Sequence, residues 1–253
     1  MNETGNIALG IDIGGTGIKG ALVDLDTGAL VSERFRLDTP HPALPGAVAD
    51  TVVAVAEHFD FDGPVGVAFP GVVLDGVVHT AANLHPDWVG ASLTDLVGSR
   101  LAGPSVYLND ADAAGLAEAR FGAAKGVSGV VLLVTLGTGI GTAMINDGQL
   151  VPNSEFGHLE LDGLDAETYA AASARKRNNE NWEEWAGHAE HYLKYLERLV
   201  WPKLFVLGGG ITKNPELWLH YLKPRTPIVL ATNINNAGII GAAAAAAQTQ
   251  QAG

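Results

Sequence analysis

The amino-acid sequence predicts an α/β fold of two similar halves facing a cleft. The first sign is a repeat: GIDIGGTGIKGALVDLDTGALV (residues 10–31) resembles LVTLGTGIGTAMINDGQLV (residues 133–151). Gly15-Thr16-Gly17-Ile18 matches Gly137-Thr138-Gly139-Ile140, Ala21 falls on Ala143 and Val23 on Ile145. After a two-residue gap, Gly28 falls on Gly148 and Leu30 on Leu150. Each copy reads as an apolar strand, a Gly/Thr turn, an alternating strand, a D-G or D-T-G turn and another strand. An offset of about 120 residues is the size of a domain, not of a solenoid repeat. The second sign is that strand and helix signals alternate between and after the copies. The third is that no long flexible linker interrupts them.

Taken in order, residues 46–59 read as a helix flanked by Pro45 and Pro64, and 64–69 as a buried strand. Residues 104–108 read as a strand and 109–121 as a helix. Residues 182–200 carry the clearest helical stripe: Trp182, Trp185, Ala186, Ala189, Tyr192, Leu193, Leu196 and Leu199. That spacing assigns the aromatics to a core. A strand over 203–207 follows, then a Gly-rich turn and a helix opened by Asn214 as N-cap with Pro215 at N1. The Ala-rich stretch 237–247 reads as a tightly packed final helix. These elements divide into a first lobe over 1–108 and a second over 109–236, with the final helix, 237–253, packing back on the first.

The chain of 253 residues has 47% hydrophobic and 17% charged residues, the profile of a globular protein with a sizeable core. No apolar run reaches the roughly 18 residues needed to cross a bilayer. The N-terminus MNETGNIALG lacks the basic and apolar regions of a signal peptide, so the cytoplasm is the expected location. With 15 Lys+Arg against 28 Asp+Glu, the net charge of −13 argues against a nucleic-acid partner. A polyanionic substrate would need locally concentrated positive potential from backbone amides, helix N-termini and a few cations. The absence of cysteine excludes disulfides and thiolate metal sites. Oligomeric state is not legible in the chain; a homodimer is compatible with it.

The turn Gly14-Gly15-Thr16-Gly17-Ile18-Lys19-Gly20 is neither a Walker loop nor a Rossmann fingerprint, because a strand follows it instead of a helix. Its glycines let backbone N–H groups approach a phosphate, and Thr16 adds a hydroxyl donor. An ordinary Gly-rich hairpin reads the same way. The second copy, Gly137-Thr138-Gly139, favours the phosphate reading, since two such turns on one cleft make a clamp. Asp12 aligns with Val134, and an acid in a strand interior before a phosphate turn suggests water-mediated Mg²⁺; capping of the turn's own amides is the other reading. Asn109-Asp110 stands where a strand meets a helix at the cleft edge. Asp110 suits a base that accepts the proton of an attacking hydroxyl. N-capping by either residue is compatible with that role. Glu155 and His158, three apart in a loop after the second repeat, suit recognition of hydroxyls. Gly208-Gly209-Gly210 leave room for a flat base and ribose, or form a tight strand-to-helix connection.

At these motifs the sequence resembles the ROK family of sugar kinases, within the actin-like ATPase (ribonuclease H-like) fold. The resemblance rests on DIGGTGIKG (12–20), TPHPALP (39–45), PGVV (70–73), TAAN (80–83), LNDADAAGLAE (108–118), LGTGIG (136–141), PNSEFGHLE (152–160) and LGGGI (207–211). They run in order over nearly the whole chain. NDADAAGLAE with EFGHLE is characteristic of the polyphosphate-using branch, the polyphosphate glucokinases and polyphosphate/ATP glucomannokinases. The resemblance implies phosphorylation of glucose, and of mannose, at the 6-hydroxyl, with polyphosphate or ATP as donor and Mg²⁺ as cofactor. It implies Asp110 as catalytic base and Asn109, Glu155 and His158 as ligands of sugar hydroxyls. Many relatives carry a cysteine-rich zinc motif after the Gly-His pair; its cysteines are missing here, so no structural zinc is expected. Glu167-Thr168-Tyr169-Ala170 fits the end of that pattern and makes Glu167 the last sugar ligand, with Asn83 bordering the sugar. A polyphosphate track would draw on Lys19, Lys125, Arg175, Lys176, Arg177 and Lys213; a solvated helix face is the other reading of residues 175–177.

Two other functions compete. A sugar-responsive repressor of the same family would carry a helix-turn-helix before the first lobe, and here the first strand is expected at about Ile7. A catalytically idle sugar-binding protein would not need Asp110.

Overall fold

The apolar residues from Ile7 to Ile13 form the first strand, the central member of a five-stranded sheet. The computed structural model describes residues 6–81, 84–233 and 235–251. Side by side in the first sheet lie Phe35–Asp38, Gly17–Asp24, Ile7–Ile13, Val65–Phe69 and Ser105–Asn109. The first two pairings are antiparallel and the last two parallel. The second sheet repeats that order with Gln149–Val151, Ile140–Asn146, Val130–Leu136, Leu204–Gly208 and Ile228–Leu230. Its pairings switch from antiparallel to parallel at the same place. The duplication seen in sequence is a duplication of sheet topology.

Register corrects one detail of the repeat. In the first hairpin Ile13 pairs with Ile18, closing four residues, Gly14 to Gly17; in the second Leu136 pairs with Ile140, closing three, Gly137 to Gly139. Counted back from the turns, Asp12 (opposite Lys19) corresponds to Thr135 (opposite Gly141), not to Val134. The extra residue in the first turn shifts the alignment by one and therefore onto the other face of the strand. Both copies thus carry a polar residue at this position, while Val134 is fully buried in the core.

Helix Pro45–Glu57 starts on a proline at its first turn and buries Val48, Ala49, Val52, Val53, Val55 and Ala56. They pack in one cluster with Leu9, Ile11, Val65 and Val67 of the first sheet. Helix Ala237–Gln251 approaches the same sheet closely: a Cβ at Gly10 or Gly66 would lie 1.9 Å from the Ile239 carbonyl oxygen or 1.8 Å from that of Ala242. Only residues without a side chain permit that contact. The chain reaches this helix through Thr232 and Asn233, whose backbone N–H groups both donate to buried Glu118 (3.0 and 2.7 Å).

Helix Trp182–Val200 opens with a capping box between Asn181 and Glu184. Trp185, Ala186, Ala189, Tyr192, Leu193 and Leu196 are fully buried as the stripe requires, and Trp182 partly. Leu199 departs from it at 54% exposure, because the helix ends at Val200 and Trp201, in a left-handed conformation, turns the chain away. The predicted helix after Asn214 is also absent. Asn214 makes no cap, and short 3₁₀ turns cover Gly210–Lys213, Pro215–Leu217 and Leu219–Tyr221. Buried Trp218 donates its indole N–H to the Ile211 carbonyl (3.1 Å), folding the segment back on itself before a helix can propagate. Among the described residues no helix is long and apolar enough to cross a membrane.

Candidate active site

Strand Ser105–Asn109 runs directly into helix Asp110–Phe121, so the carboxyl end of a parallel strand delivers two polar side chains to the cleft. Asn109 is the N-cap: its Oδ1 accepts from the N–H groups of Ala111 (2.7 Å) and Asp112 (3.2 Å). Its Nδ2 points the other way, donating to the Gly71 carbonyl (3.2 Å) and reaching Glu155 Oε1 at 3.5 Å. Capping and facing the cleft are therefore done by one side chain. That leaves the Asp110 carboxylate beside it at the open floor of the cleft, where it is exposed while protein surrounds it at longer range.

Glu155 and His158 are held by strand Ile140–Asn146. Buried Thr142 brackets the loop: its Oγ1 donates to the Ser154 carbonyl and accepts from the Phe156 N–H (3.0 Å). Gly157 lies against the same strand, where a Cβ would meet the Ile140 carbonyl oxygen at 2.1 Å. The glycine between Glu155 and His158 is thus what lets both side chains reach the cleft. Glu167 arrives from the short helix Glu167–Ala170, and its Oε2 accepts from the Ile140 N–H at 2.8 Å.

The two Gly/Thr turns are built alike. Gly14 N–H donates to the Gly17 carbonyl (3.1 Å) and Gly137 N–H to that of Gly139 (3.0 Å). In the first, Thr39 holds the Gly14 carbonyl and Arg36 that of Thr16, each at 2.6 Å. In the second, Ser173 N–H holds the Gly137 carbonyl (3.0 Å) and Ser173 Oγ that of Thr138 (2.6 Å).

The second turn and the segments carrying Asn109, Glu155 and Glu167 border a cavity of about 330 Å³, of the order of a small-molecule site. It is lined by Asn109, Asp110, Gly137, Thr138, Gly139, Glu155, His158, Glu167 and Gly209, together with Gly71, Thr135 and Thr142. Gly14, Gly15, Thr16, Gly17, Lys19, Gly208, Gly210 and Asp12 are not in this lining. Gly208 is the last residue of its strand, paired with Thr135, and Gly209 leaves it at a φ of 84°. Asn83 lies outside the described residues. Thr142, Ser173 and Arg36 are not legible as site residues in the sequence, because each acts on a partner distant in the chain. Asp165, two residues before Glu167, is within reach of the motif.

Charge is concentrated here. Burial, then the negative charge of Asp12, raise the Asp110 carboxyl; the Ala111 N–H opposes them and Glu155 adds to them, leaving it at about 6. Asp12 itself sits 3.0 Å from Lys19 Nζ. For His158, burial pulls the imidazole down, but the Asp165 hydrogen bond (3.2 Å) and the charges of Asp165, Glu167 and Glu155 outweigh it, so the net shift is upward.

Paired sheets of one order, each carrying a Gly/Thr hairpin turn, define the actin-like ATPase fold. Within it, residues 8–180 match the ROK family, and the chain belongs to that family. It is 51% identical over 237 residues to the polyphosphate glucokinase of Mycobacterium tuberculosis (strain CDC 1551 / Oshkosh), covering 93% of this chain and 89% of that one. The inorganic polyphosphate/ATP-glucomannokinase of Arthrobacter sp. strain KM superposes with a TM-score of 0.90 at 51% identity, over 96% of this chain and 99% of that one. A ROK family glucokinase from Streptomyces griseus, solved with glucose and AMPPNP, gives 0.78 at 28% identity over 96% and 99%.

Proposed function

We propose that this protein transfers the terminal phosphoryl group of inorganic polyphosphate or ATP to the 6-hydroxyl of glucose, and also of mannose. The observation that carries this reading is the convergence of Asn109, Asp110, Glu155, His158 and Glu167 on one cavity walled by the Gly137–Gly139 turn. The half-identical polyphosphate-using relatives support it. The hexose lies with its hydroxyls against Asn109, Glu155, His158 and Glu167, bordered by Asn83. Asp110 takes the proton of the attacking hydroxyl. A carboxyl held at about 6 is ionised at neutral pH yet more basic than an ordinary Asp, which suits that task. Donor phosphates lie between Gly14, Gly15, Thr16 and Gly17 on one side and Gly137, Thr138 and Gly139 on the other, with Lys19 beside them. The Gly208–Gly210 turn accommodates the base of ATP. The lobes over 1–108 and 109–236 close on the substrates and exclude water.

Mg²⁺ brought in with the donor phosphates fits a hard oxygen donor such as Asp12, whose charge still raises the Asp110 carboxyl although Lys19 Nζ lies 3.0 Å from Asp12 Oδ2. Asp12, through water, would hold it, and it would neutralise charge developing on the transferred group.

The test is formation of glucose 6-phosphate with Mg²⁺ and either donor across a salt series. Both donors are expected to work, with polyphosphate weakened more as salt rises, since more of its binding is ionic. Activity with ATP alone removes the polyphosphate reading; activity with neither removes the kinase.

Glu167 makes a second test. Its Oε2 is bonded to the Ile140 N–H beside the second turn, leaving Oε1 for the sugar. Glu167→Ala is expected to raise the KM for glucose about 5- to 100-fold, since an unpaired buried partner costs about 1–3 kcal/mol. It should also lower kcat by loosening the turn, and Glu167→Gln, which keeps an acceptor for Ile140, should restore kcat more than KM. An unchanged KM in Glu167→Ala would assign the sugar to another acid.

A further inference from the structure

Strand Phe35–Asp38 is the outer member of the first sheet, and its burial alternates, with Arg36 and Asp38 exposed and Phe35 and Leu37 half-buried. Arg34, just before it, is exposed and lies two residues from Arg36, hence on the same face. Register sets Arg36 directly opposite Lys19, and Lys19 directly opposite Asp12. One row across the sheet therefore reads Asp12, Lys19, Arg36, and Arg34 stands two residues further along the outer segment, away from the turn. Neighbours in such a row stand about 5 Å apart, and residues two along a strand about 7 Å.

Two like charges directly opposite on neighbouring strands are unfavourable unless an anion offsets them. Asp12 serves Lys19, and Asp38 takes one edge of Arg36 at 2.7 Å. The rest of the Arg36 fork, with its side chain 51% exposed, remains open to solvent. Arg36 is also built into the first turn. It donates to the Thr16 carbonyl, and a Cβ at Gly17 would come within 2.3 Å of its Nε, so Gly17 is the seat on which the guanidinium lies. Arg34 reaches from the same face to Asn236 Oδ1 (3.1 Å), just before the final helix. Among the other candidate cations for a track, Arg175 stacks on Trp182 at 3.9 Å and bonds the Glu180 carbonyl, and Arg177 bonds that of Thr168. Those two lie away from the first turn, whereas Arg34, which also reaches the Asn235 carbonyl at 3.5 Å, stands two residues from Arg36.

We propose that Lys19, Arg36 and Arg34 form an anion track that carries the non-reacting part of an inorganic polyphosphate chain out of the cleft along the outer strand of the first sheet. This rests on the donor reading above. Lys19 and Arg36 lie where any donor's phosphates pass, whereas Arg34 meets only chains long enough to extend past the turn. Chain-length dependence is the signature.

The experiment measures KM for ATP, for tripolyphosphate and for polyphosphate of several tens of units, in the full-length wild type and in Arg34→Gln and Arg34→Glu. Arg34→Gln is expected to raise KM for the long chain about 3- to 10-fold more than for tripolyphosphate or ATP, and Arg34→Glu to widen that gap. The log–log salt slope for the long chain should fall by about one, as for the loss of one phosphate contact. Equal effects on all donors, or an unchanged slope, while the wild type uses polyphosphate, overturns the track and leaves the donor reading standing. A wild type that makes no product from polyphosphate overturns both.

Discussion

Asp110→Asn is expected to abolish turnover while hexose binding persists. The amide keeps the shape of the carboxyl and an oxygen that can accept from the Ala111 N–H, which Asp110 Oδ1 now does at 2.8 Å. What it loses is the capacity to take a proton, and general-base catalysis contributes about 10²- to 10⁴-fold in rate. With the carboxyl at about 6, wild-type kcat/KM should rise with pH through that value, since below it the base is already protonated. Initial rates and calorimetric glucose binding on the same protein separate the two effects. Near-wild-type kcat, or equal loss of binding, would remove Asp110 from the role.

Asp112→Asn is expected to stabilise the protein at neutral and alkaline pH. Asp112 is 1% exposed; its Oδ2 accepts from the Asn153 N–H at 2.7 Å, and its Oδ1 has no partner among the described residues. Burial is the main cause raising its carboxyl; the Asn153 N–H opposes it, Glu155 and Asp110 add to it, and the result is about 7 against 3.8 for the unperturbed group. A group whose affinity for its proton rises on folding contributes stability that is complete below pH about 4 and is lost as pH climbs through about 7. Above that range, keeping the carboxylate ionised in this setting costs on the order of 4 kcal/mol. The amide cannot ionise, so it escapes this loss while still accepting from Asn153. Thermal melts from pH 4 to 9 should show a flatter profile and a Tm several degrees above wild type at pH 8. A Tm at pH 8 equal to or below that of wild type would show that the carboxylate is tolerated where it lies.

The large features of this fold were legible because they rest on period and repetition. Helix Trp182–Val200 coincides with its predicted span, since its stripe alternates apolar and charged faces over five turns. The error of one residue in the repeat has a physical origin. Both turns read Gly-Thr-Gly, so sequence alone cannot show that the first closes over one more residue than the second, and only strand pairing reveals it. Of the candidate site residues, Asn109, Asp110, Glu155, His158 and Glu167 line the cavity with the second turn, while Asp12, Lys19 and the first turn do not. The residues that hold the site together were not legible. Thr142 sits in a strand where a β-branched residue needs no special reason, and only its bonds to Ser154 and Phe156 distinguish it. Arg36 and Ser173 bind carbonyls 20 and 35 residues away, a separation no local pattern encodes.

The closure of the final helix over Gly10 and Gly66 also fixes an order of events during synthesis. Gly10 leaves the ribosome long before Ile239, which covers it. At about 5–20 residues per second, the strand waits roughly ten to fifty seconds for that cover. Throughout that interval Ala8, Ala21 and Val23, which end in one cluster with Ile239, Ile240 and Ala243, have no native partner on that helix. The nascent first half is therefore a client for whatever shields apolar surface in the cell, and a stop or frameshift upstream of residue 237 leaves a chain with an uncovered sheet rather than a shorter stable protein.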